Sequence, residues 1–125
     1  MRDVQSASAT GPYQQHITIG THRLVGDEGA DKGSQDTGPT PHELLLAALA
    51  ACTSMTMKAY AQHKGIALRQ VHVTTRGRHD NGVFVIEKEV RLDGDFDEAQ
   101  RARILEIGGR CPVARTLAGE IRIVG

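Results

Sequence analysis

Two cysteines in contrasting settings are the residues of this chain best suited to chemistry. Cys52 lies within an apolar run, residues 44–57, which predicts a thiol in the middle of a buried helix. Cys111 immediately precedes Pro112, and proline at the first helical position makes the preceding residue a predicted N-cap. The free N–H groups and the dipole of a helix start stabilise a thiolate. The residues alone therefore name Cys111 as the thiol of lower pKa, and the two cysteines as a candidate redox pair.

Other kinds of chemistry find little support in the sequence. Either cysteine could be an inert core residue, because free cysteine is among the most buried residue types. None of the six histidines pairs with a cysteine at zinc-finger spacing, and neither CxxC nor HExxH occurs. The glycine-rich segment 26–39 fits neither a Walker A motif nor GxGxxG. We therefore expect no metal and no cofactor.

The charge balance and the N-terminal segment narrow the class of protein. Fifteen basic and fifteen acidic residues are interspersed, so the chain lacks the basic stripe of a nucleic-acid-binding protein. Residues 1–10 have no apolar core and do not form a signal-peptide pattern. The apolar run 44–57 is too short to span a bilayer. We expect a cytoplasmic protein with no nucleic-acid or membrane partner, in a compartment where disulfides are transient and catalytic.

The hydrophobic pattern predicts an α+β order of elements in a single domain, residues 1–125. Residues 1–12 are small and polar, and we expect them to be disordered. The predicted strands are 13–19, 22–25, 68–76, 83–92 and 120–124, and the predicted helices are 41–64, 97–107 and 111–117. A long loop, 26–39, precedes the first helix, and loops of that length tend to be functional.

The central helix carries two signals. Its start, Thr40-Pro-His-Glu43, has the spacing of a capping box, which makes a helix cap the simplest role for Glu43. Further along, one face holds Leu45, Cys52 and Met55, while the opposite face is also apolar and rich in alanine. A helix that is apolar on both faces must be covered on both. Since one sheet of a small domain covers one side, we expect a second copy of the chain to cover the other.

Two stretches together resemble the OsmC/Ohr family of thiol peroxidases. They are Gly38-Pro-Thr-Pro-His-Glu-Leu-Leu-Leu-Ala-Ala-Leu-Ala-Ala-Cys52-Thr and Cys111-Pro-Val-Ala-Arg-Thr-Leu117. With the order of the elements, the resemblance covers nearly the whole chain from Tyr13, and it is closest to the OsmC-like branch with Gly-Pro-x-Pro before the helix. It implies an intertwined homodimer, in which antiparallel sheets wrap the paired central helices and the active sites lie at the subunit interface.

The same resemblance implies roles for the two thiols. Cys52 would attack an organic hydroperoxide and become a sulfenic acid, and Cys111 would resolve it to a disulfide. A dithiol of the lipoyl type would then reduce that disulfide. No cofactor takes part, and the apolar residues around Cys52 favour an organic hydroperoxide over hydrogen peroxide.

The chain departs from the family at the residues that support the first cysteine. His42 stands ten residues before Cys52, where the family has its catalytic glutamate, and Glu43 follows it. The family's loop arginine is also missing, which leaves Arg23, Arg110 or an arginine of the second copy as candidates for the cation. Two further hypotheses therefore stay open. The chain could be a redox-active binding or thiol-transfer protein with little peroxidase turnover, or a structural dimer with inert cysteines.

Overall fold

The computed structural model describes residues 1–125 and has the α+β order that the hydrophobic pattern predicts. The strands are β1 (Val4–Ser8), β2 (Gln15–Ile19), β3 (His22–Gly26), β4 (Ala67–Asp80) and β5 (Val83–Asp95). The helices are α1 (Pro41–Lys64), α2 (Glu98–Gly108) and α3 (Pro112–Ala118). Both sheets are antiparallel, one with the order β1-β2-β3 and the other consisting of β4 and β5. The chain forms two compact units, Met1–Leu45 and Leu46–Gly125, whose boundary lies within α1 and not in a linker.

In the first unit, one carboxylate organises the long loop between β3 and α1. Asp27 is buried and accepts hydrogen bonds from the hydroxyls of Ser34 and Thr37, and from the backbone N–H groups of Thr37 and Glu28. The two hydroxyl bonds are the main reason that the pKa of Asp27 lies far below its usual range. The loop closes where the Asp27 N–H donates to the Pro39 carbonyl, 3.0 Å away. A single buried acid thus fixes the path into α1.

The start and end of α1 follow the predicted signals. The Thr40 N–H donates to Glu43 Oε1 at 2.8 Å, and the Glu43 N–H donates to Thr40 Oγ1 at 3.2 Å, so the predicted capping box is confirmed. The helix ends before Gly65, whose φ of 68° lies in the left-handed region that glycine adopts without strain.

In the second unit, β4 and β5 form a long hairpin with two unlike faces. Asn81 and Gly82 have φ values of 49° and 80°, which is the geometry of a type I′ turn and sets the pairing of the strands. One face is polar and carries cross-strand ion pairs, Arg76–Glu89 and Arg78–Glu87. The other face is apolar apart from Thr75, His79 and Lys88, and Thr75 and Lys88 lie opposite each other in the ladder.

The core of the second unit lies between α1, α2 and the hairpin. Its buried members are Met57, Ala61, Leu68 and Ile104. Gly108, the last residue of α2, is buried against Met57, and a methyl group at this position would collide with the methionine side chain. This close approach fixes the point at which the chain leaves α2, three residues before Cys111.

The termini differ from the sequence-based expectations. Residues 1–12 were expected to be disordered, but Val4–Ser8 forms β1 and pairs with β2. The segment has few apolar residues, so its sequence lacks the alternation of apolar and polar residues that predicts a strand. Conversely, residues 120–124 were expected to form a strand, but they have no partner in either sheet and are exposed. An alternating pattern cannot form a strand without a neighbour to accept its hydrogen bonds.

The faces of α1 also differ from the prediction. The buried stripe is Leu49, Thr53, Met57 and Ala61. The predicted apolar face with Leu45, Cys52 and Met55 lies outside this stripe, with Met55 at 69% of its full accessibility. By length and composition alone, α1 is also apolar enough to cross a membrane. The same composition suits a helix covered by protein on both sides.

Candidate functional site

The start of α3 places the sulfur of Cys111. Cys111 is the N-cap residue, with extended backbone angles and Pro112 at the first helical position, as the sequence predicts. Its Sγ accepts a hydrogen bond from the Ala114 N–H, at 3.4 Å. The side chain is fully buried. The cap therefore holds the sulfur in one place and offers it a backbone donor that no other intrahelical group uses.

Two side chains from other elements extend this arrangement. Thr53 Oγ1 of α1, which is itself fully buried, lies 3.5 Å from Cys111 Sγ. Lys88 Nζ of β5 donates to the same Thr53 oxygen at 3.3 Å. Because the ammonium occupies a lone pair of the hydroxyl, the hydroxyl hydrogen is available to the sulfur. Lysine, threonine and cysteine thus form a chain of hydrogen bonds that ends on Sγ.

The pKa of Cys111 reflects opposing effects. Burial is the largest and raises the pKa, because the interior disfavours the charged thiolate. The hydrogen bonds from Thr53, from the Ala114 N–H and from Cys52 act in the other direction, together with the positive charge of Lys88. Their combined effect exceeds that of burial, so the pKa of Cys111 is lowered, as the helix-start argument predicts.

Cys52 is the more accessible of the two thiols. Its side chain is partly exposed, whereas that of Cys111 is buried, and both are free thiols. The Cys52 thiol is one of the groups that lower the pKa of Cys111, so the two thiols lie near each other although they are far apart in the sequence. Two neighbouring thiols of unequal exposure, one of them with a lowered pKa, can carry out disulfide exchange or peroxide reduction.

An open groove of about 440 Å³ lies between α1, β5 and α3. Apolar side chains line most of it, including Leu49, Phe84, Ile86 and Leu117. Lys88 and Ala114, which both take part in the arrangement around Cys111, also border it. A volume of this size suits a small organic molecule, and the lining favours an apolar one.

The other predicted site residues belong to different parts of the chain. Arg23 on β3 and His42 and Glu43 at the start of α1 belong to the first unit, and the Glu43 carboxylate is engaged in the capping box. Arg110 belongs to the second unit but pairs with Glu106, and its charge is not among the causes that lower the pKa of Cys111. A role for Arg110 as a supporting cation stays a prediction, and in this structure its guanidinium is held by the Glu106 carboxylate.

Thr53 and Lys88 were missed as site residues. Lys88 did leave a signal: it is the one charged residue among Phe84, Ile86, Val90 and Leu92 on the apolar face of β5. Thr53 left none, because a threonine beside Cys52 in an apolar helix has many structural roles. Nowhere in residues 1–125 do three histidine, cysteine or acidic side chains gather in a way that could hold a metal ion.

Comparison with known proteins gives one family match. The family model described as OsmC-like protein matches residues 33–124, which is most of the chain. A search of curated proteins finds no match.

The fold is similar to those of several solved structures. An OsmC-like protein from Mycoplasma pneumoniae superposes with a TM-score of 0.80 at 20% identity, over 95% of this chain and 88% of that one. An organic hydroperoxide resistance protein OsmC from Legionella pneumophila gives 0.70 at 17% identity, over 95% and 90%. The organic hydroperoxide resistance protein OhrB of Bacillus subtilis gives 0.65 at 21% identity, over 95% and 91%. At these identities the likeness concerns the fold.

Proposed function

Because this chain belongs to the OsmC-like protein family, we propose that it is a thiol-dependent peroxidase that reduces organic hydroperoxides. The observation that carries the proposal is the meeting of Cys52 with Cys111, two free thiols from distant segments. Solved structures of similar fold include two described as organic hydroperoxide resistance proteins. The mostly apolar groove that Lys88 and Ala114 border suits the organic part of such a substrate.

The proposed cycle consists of the oxidation of the two thiols by the peroxide and their reduction by a dithiol. The Cys52 thiolate attacks the peroxide, an S–O bond forms as the O–O bond breaks, and the alkoxide takes up a proton and leaves as an alcohol. The Cys111 thiolate then attacks the Cys52 sulfenic acid, an S–S bond forms as the S–O bond breaks, and hydroxide leaves as water after protonation. A dithiol reductant returns both thiols by two exchange steps, and the family resemblance implies one of the lipoyl type. Free thiols at rest suit the reducing cytoplasm.

The proposal includes a homodimer. The exposed face of α1 carries Leu45, Met55 and several alanines, and the unpaired C-terminal segment exposes Ile121, Ile123 and Val124. Exposed apolar side chains in such number are typical of an interface. In a two-fold dimer, this face of α1 would pack against the same face of α1 in the second copy. Sedimentation equilibrium at micromolar concentration should give twice the 13.5 kDa chain mass, and a folded monomer would contradict the dimer.

A second candidate function rests on the start of α1. His42 stands where the family has its catalytic glutamate, and Glu43 is engaged with Thr40, so neither is arranged as that glutamate. A protein without this group could transfer disulfides and yet turn over peroxide poorly. In that case the chain would be a redox-active binding or thiol-transfer protein.

Titration of free thiols separates these functions. The native protein is treated with one equivalent of cumene hydroperoxide or of oxidised lipoate, and remaining thiols are counted over time. Rapid loss of both thiols with the hydroperoxide is the expected result. Loss with oxidised lipoate alone would replace the peroxidase with the thiol-transfer function, and loss with neither would mean that the cysteines are inert.

A further inference from the structure

Lys88 occupies an unusual place for a lysine. Its neighbours on the same face of β5 are apolar, and its partner across the ladder is Thr75. Thr75 Oγ1 donates to the Leu46 carbonyl of α1 at 3.0 Å, so this part of the face is directed at the helix. The ammonium of Lys88 follows the same direction and reaches Thr53. A cation on an apolar face, ending on a buried hydroxyl, indicates a role beyond solubility.

The charged and titratable groups near Cys111 come from several elements. From α1 come the Cys52 thiol and the Thr53 hydroxyl, and from β5 the Lys88 ammonium. The Glu106 carboxylate of α2 is held by Arg103 on the same helix and by Arg110, which follows the helix. Lys88 is therefore the side chain whose charge acts on Cys111, and Thr53 carries its effect to the sulfur.

The two sulfur atoms would differ as sites of attack once they form a disulfide. An incoming thiolate reaches the partly exposed Cys52 more easily than the buried Cys111. In the exchange, a new S–S bond forms to Cys52, the Cys52–Cys111 bond breaks, and its electron pair leaves on Cys111. A thiol that is stabilised as its anion is the better leaving group. The exposure of Cys52 and the stabilisation of the Cys111 anion thus both favour attack on Cys52.

We propose that Lys88 and Thr53 are positioning residues that make Cys111 the leaving thiolate when the disulfide is reduced, so that the reductant attacks Cys52. The inference rests on the disulfide of the proposed function but not on peroxide as the oxidant.

The test uses the disulfide form of the full-length protein, prepared with diamide. Its equilibrium with dithiothreitol is measured at neutral pH for the native chain, Lys88→Met, Lys88→Arg and Arg91→Met. Loss of the charge at position 88 should shift the equilibrium towards the protein disulfide by about threefold to tenfold, because the reduced form loses its stabilisation. Lys88→Arg should keep most of the native value. Arg91→Met is the matched control, since it removes a cation from the polar face of the same strand.

Two further readouts make the test specific. In a Cys52→Ser background, the ultraviolet absorbance of the thiolate reports Cys111 alone, and its titration midpoint should rise with Lys88→Met. The rise should shrink in high salt, because an exposed ammonium is screened. Reduction with a monothiol should leave the mixed disulfide on Cys52, as peptide mapping would show.

An unchanged equilibrium and midpoint in Lys88→Met, or a mixed disulfide on Cys111, would overturn the inference. So would failure of diamide to link the two cysteines. A protein that ignores hydroperoxides but shows the expected equilibria would instead remove the proposed peroxidase and leave the role of Lys88 standing.

Discussion

The hydroxyl of Thr53 lies 3.5 Å from the sulfur of Cys111, and neither residue is exposed. After burial, which acts in the opposite direction, this contact is the largest cause of the lowered pKa of Cys111. Thr53→Val removes the hydroxyl and keeps the shape of the side chain. We expect the thiolate of Cys111 to appear at higher pH, measured by ultraviolet absorbance in a Cys52→Ser background. Thr53→Ser should keep the native midpoint, whereas a native midpoint in Thr53→Val would exclude the contact as a cause.

The roles of the two thiols can be assigned by single substitutions. Cys52→Ser should abolish hydroperoxide consumption, because it removes the attacking sulfur. Cys111→Ser should still consume about one equivalent and leave a sulfenic acid at Cys52, which dimedone labels for mass spectrometry. The opposite pattern would make Cys111 the nucleophile, in line with its position at a helix start.

The carboxylate of Asp27 should give the first unit a pH-dependent stability. Its pKa in the folded protein is far below the usual value of 3.8, so its hydrogen bonds contribute fully above that value and are lost as the pH falls below it. Asp27→Asn replaces one accepting oxygen with a donor. The urea midpoint of the variant should be lower than that of the native protein at neutral pH, and the difference should shrink below about pH 4. The matched control is Asp31→Asn, which removes an exposed acid from the same loop.

The packing of Gly108 on Met57 predicts a steric effect. In Gly108→Ala, the new methyl group would lie 2.8 Å from Met57 Cγ, in a buried contact that cannot expand freely. We expect a loss of about 1–3 kcal/mol in the free energy of unfolding, measured in urea. Gly109→Ala is the neighbouring control, because its methyl group meets nothing closer than 3.4 Å and its backbone is helical. Equal stability of the two variants would contradict the argument.

The proposed dimer predicts that Met55 matters for assembly and not for the fold of one chain. Met55 is 69% exposed, on the face of α1 opposite the buried stripe. Met55→Glu should shift sedimentation towards the monomer mass, since a carboxylate resists burial. Met55→Leu should stay dimeric. If both variants sediment like the native protein, this face of α1 is not the interface.

Local signals in the sequence predicted α1 and the position of Cys111 well. Proline after a capping residue and a closing glycine are chemical properties of neighbouring residues, so they can be recognised without the fold. The strand Val4–Ser8 was missed because its stability comes from pairing with β2. The link from Lys88 to Cys111 was missed for a similar reason: it joins β5, α1 and α3, and only the packed chain brings those elements together.

The turn at Asn81-Gly82 has a consequence for the sulfur that it never contacts. Side chains alternate along β5, so Lys88 faces α1 while Glu87 and Glu89 face away and bind arginines. Insertion of one residue at the turn that slipped the ladder by one position would reverse the faces of β5. Carboxylates would then lie where the ammonium now donates to Thr53, and they would oppose a thiolate instead of stabilising it. Whether a positive or a negative side chain acts on Cys111 therefore depends on whether the number of residues between the turn and position 88 is odd or even.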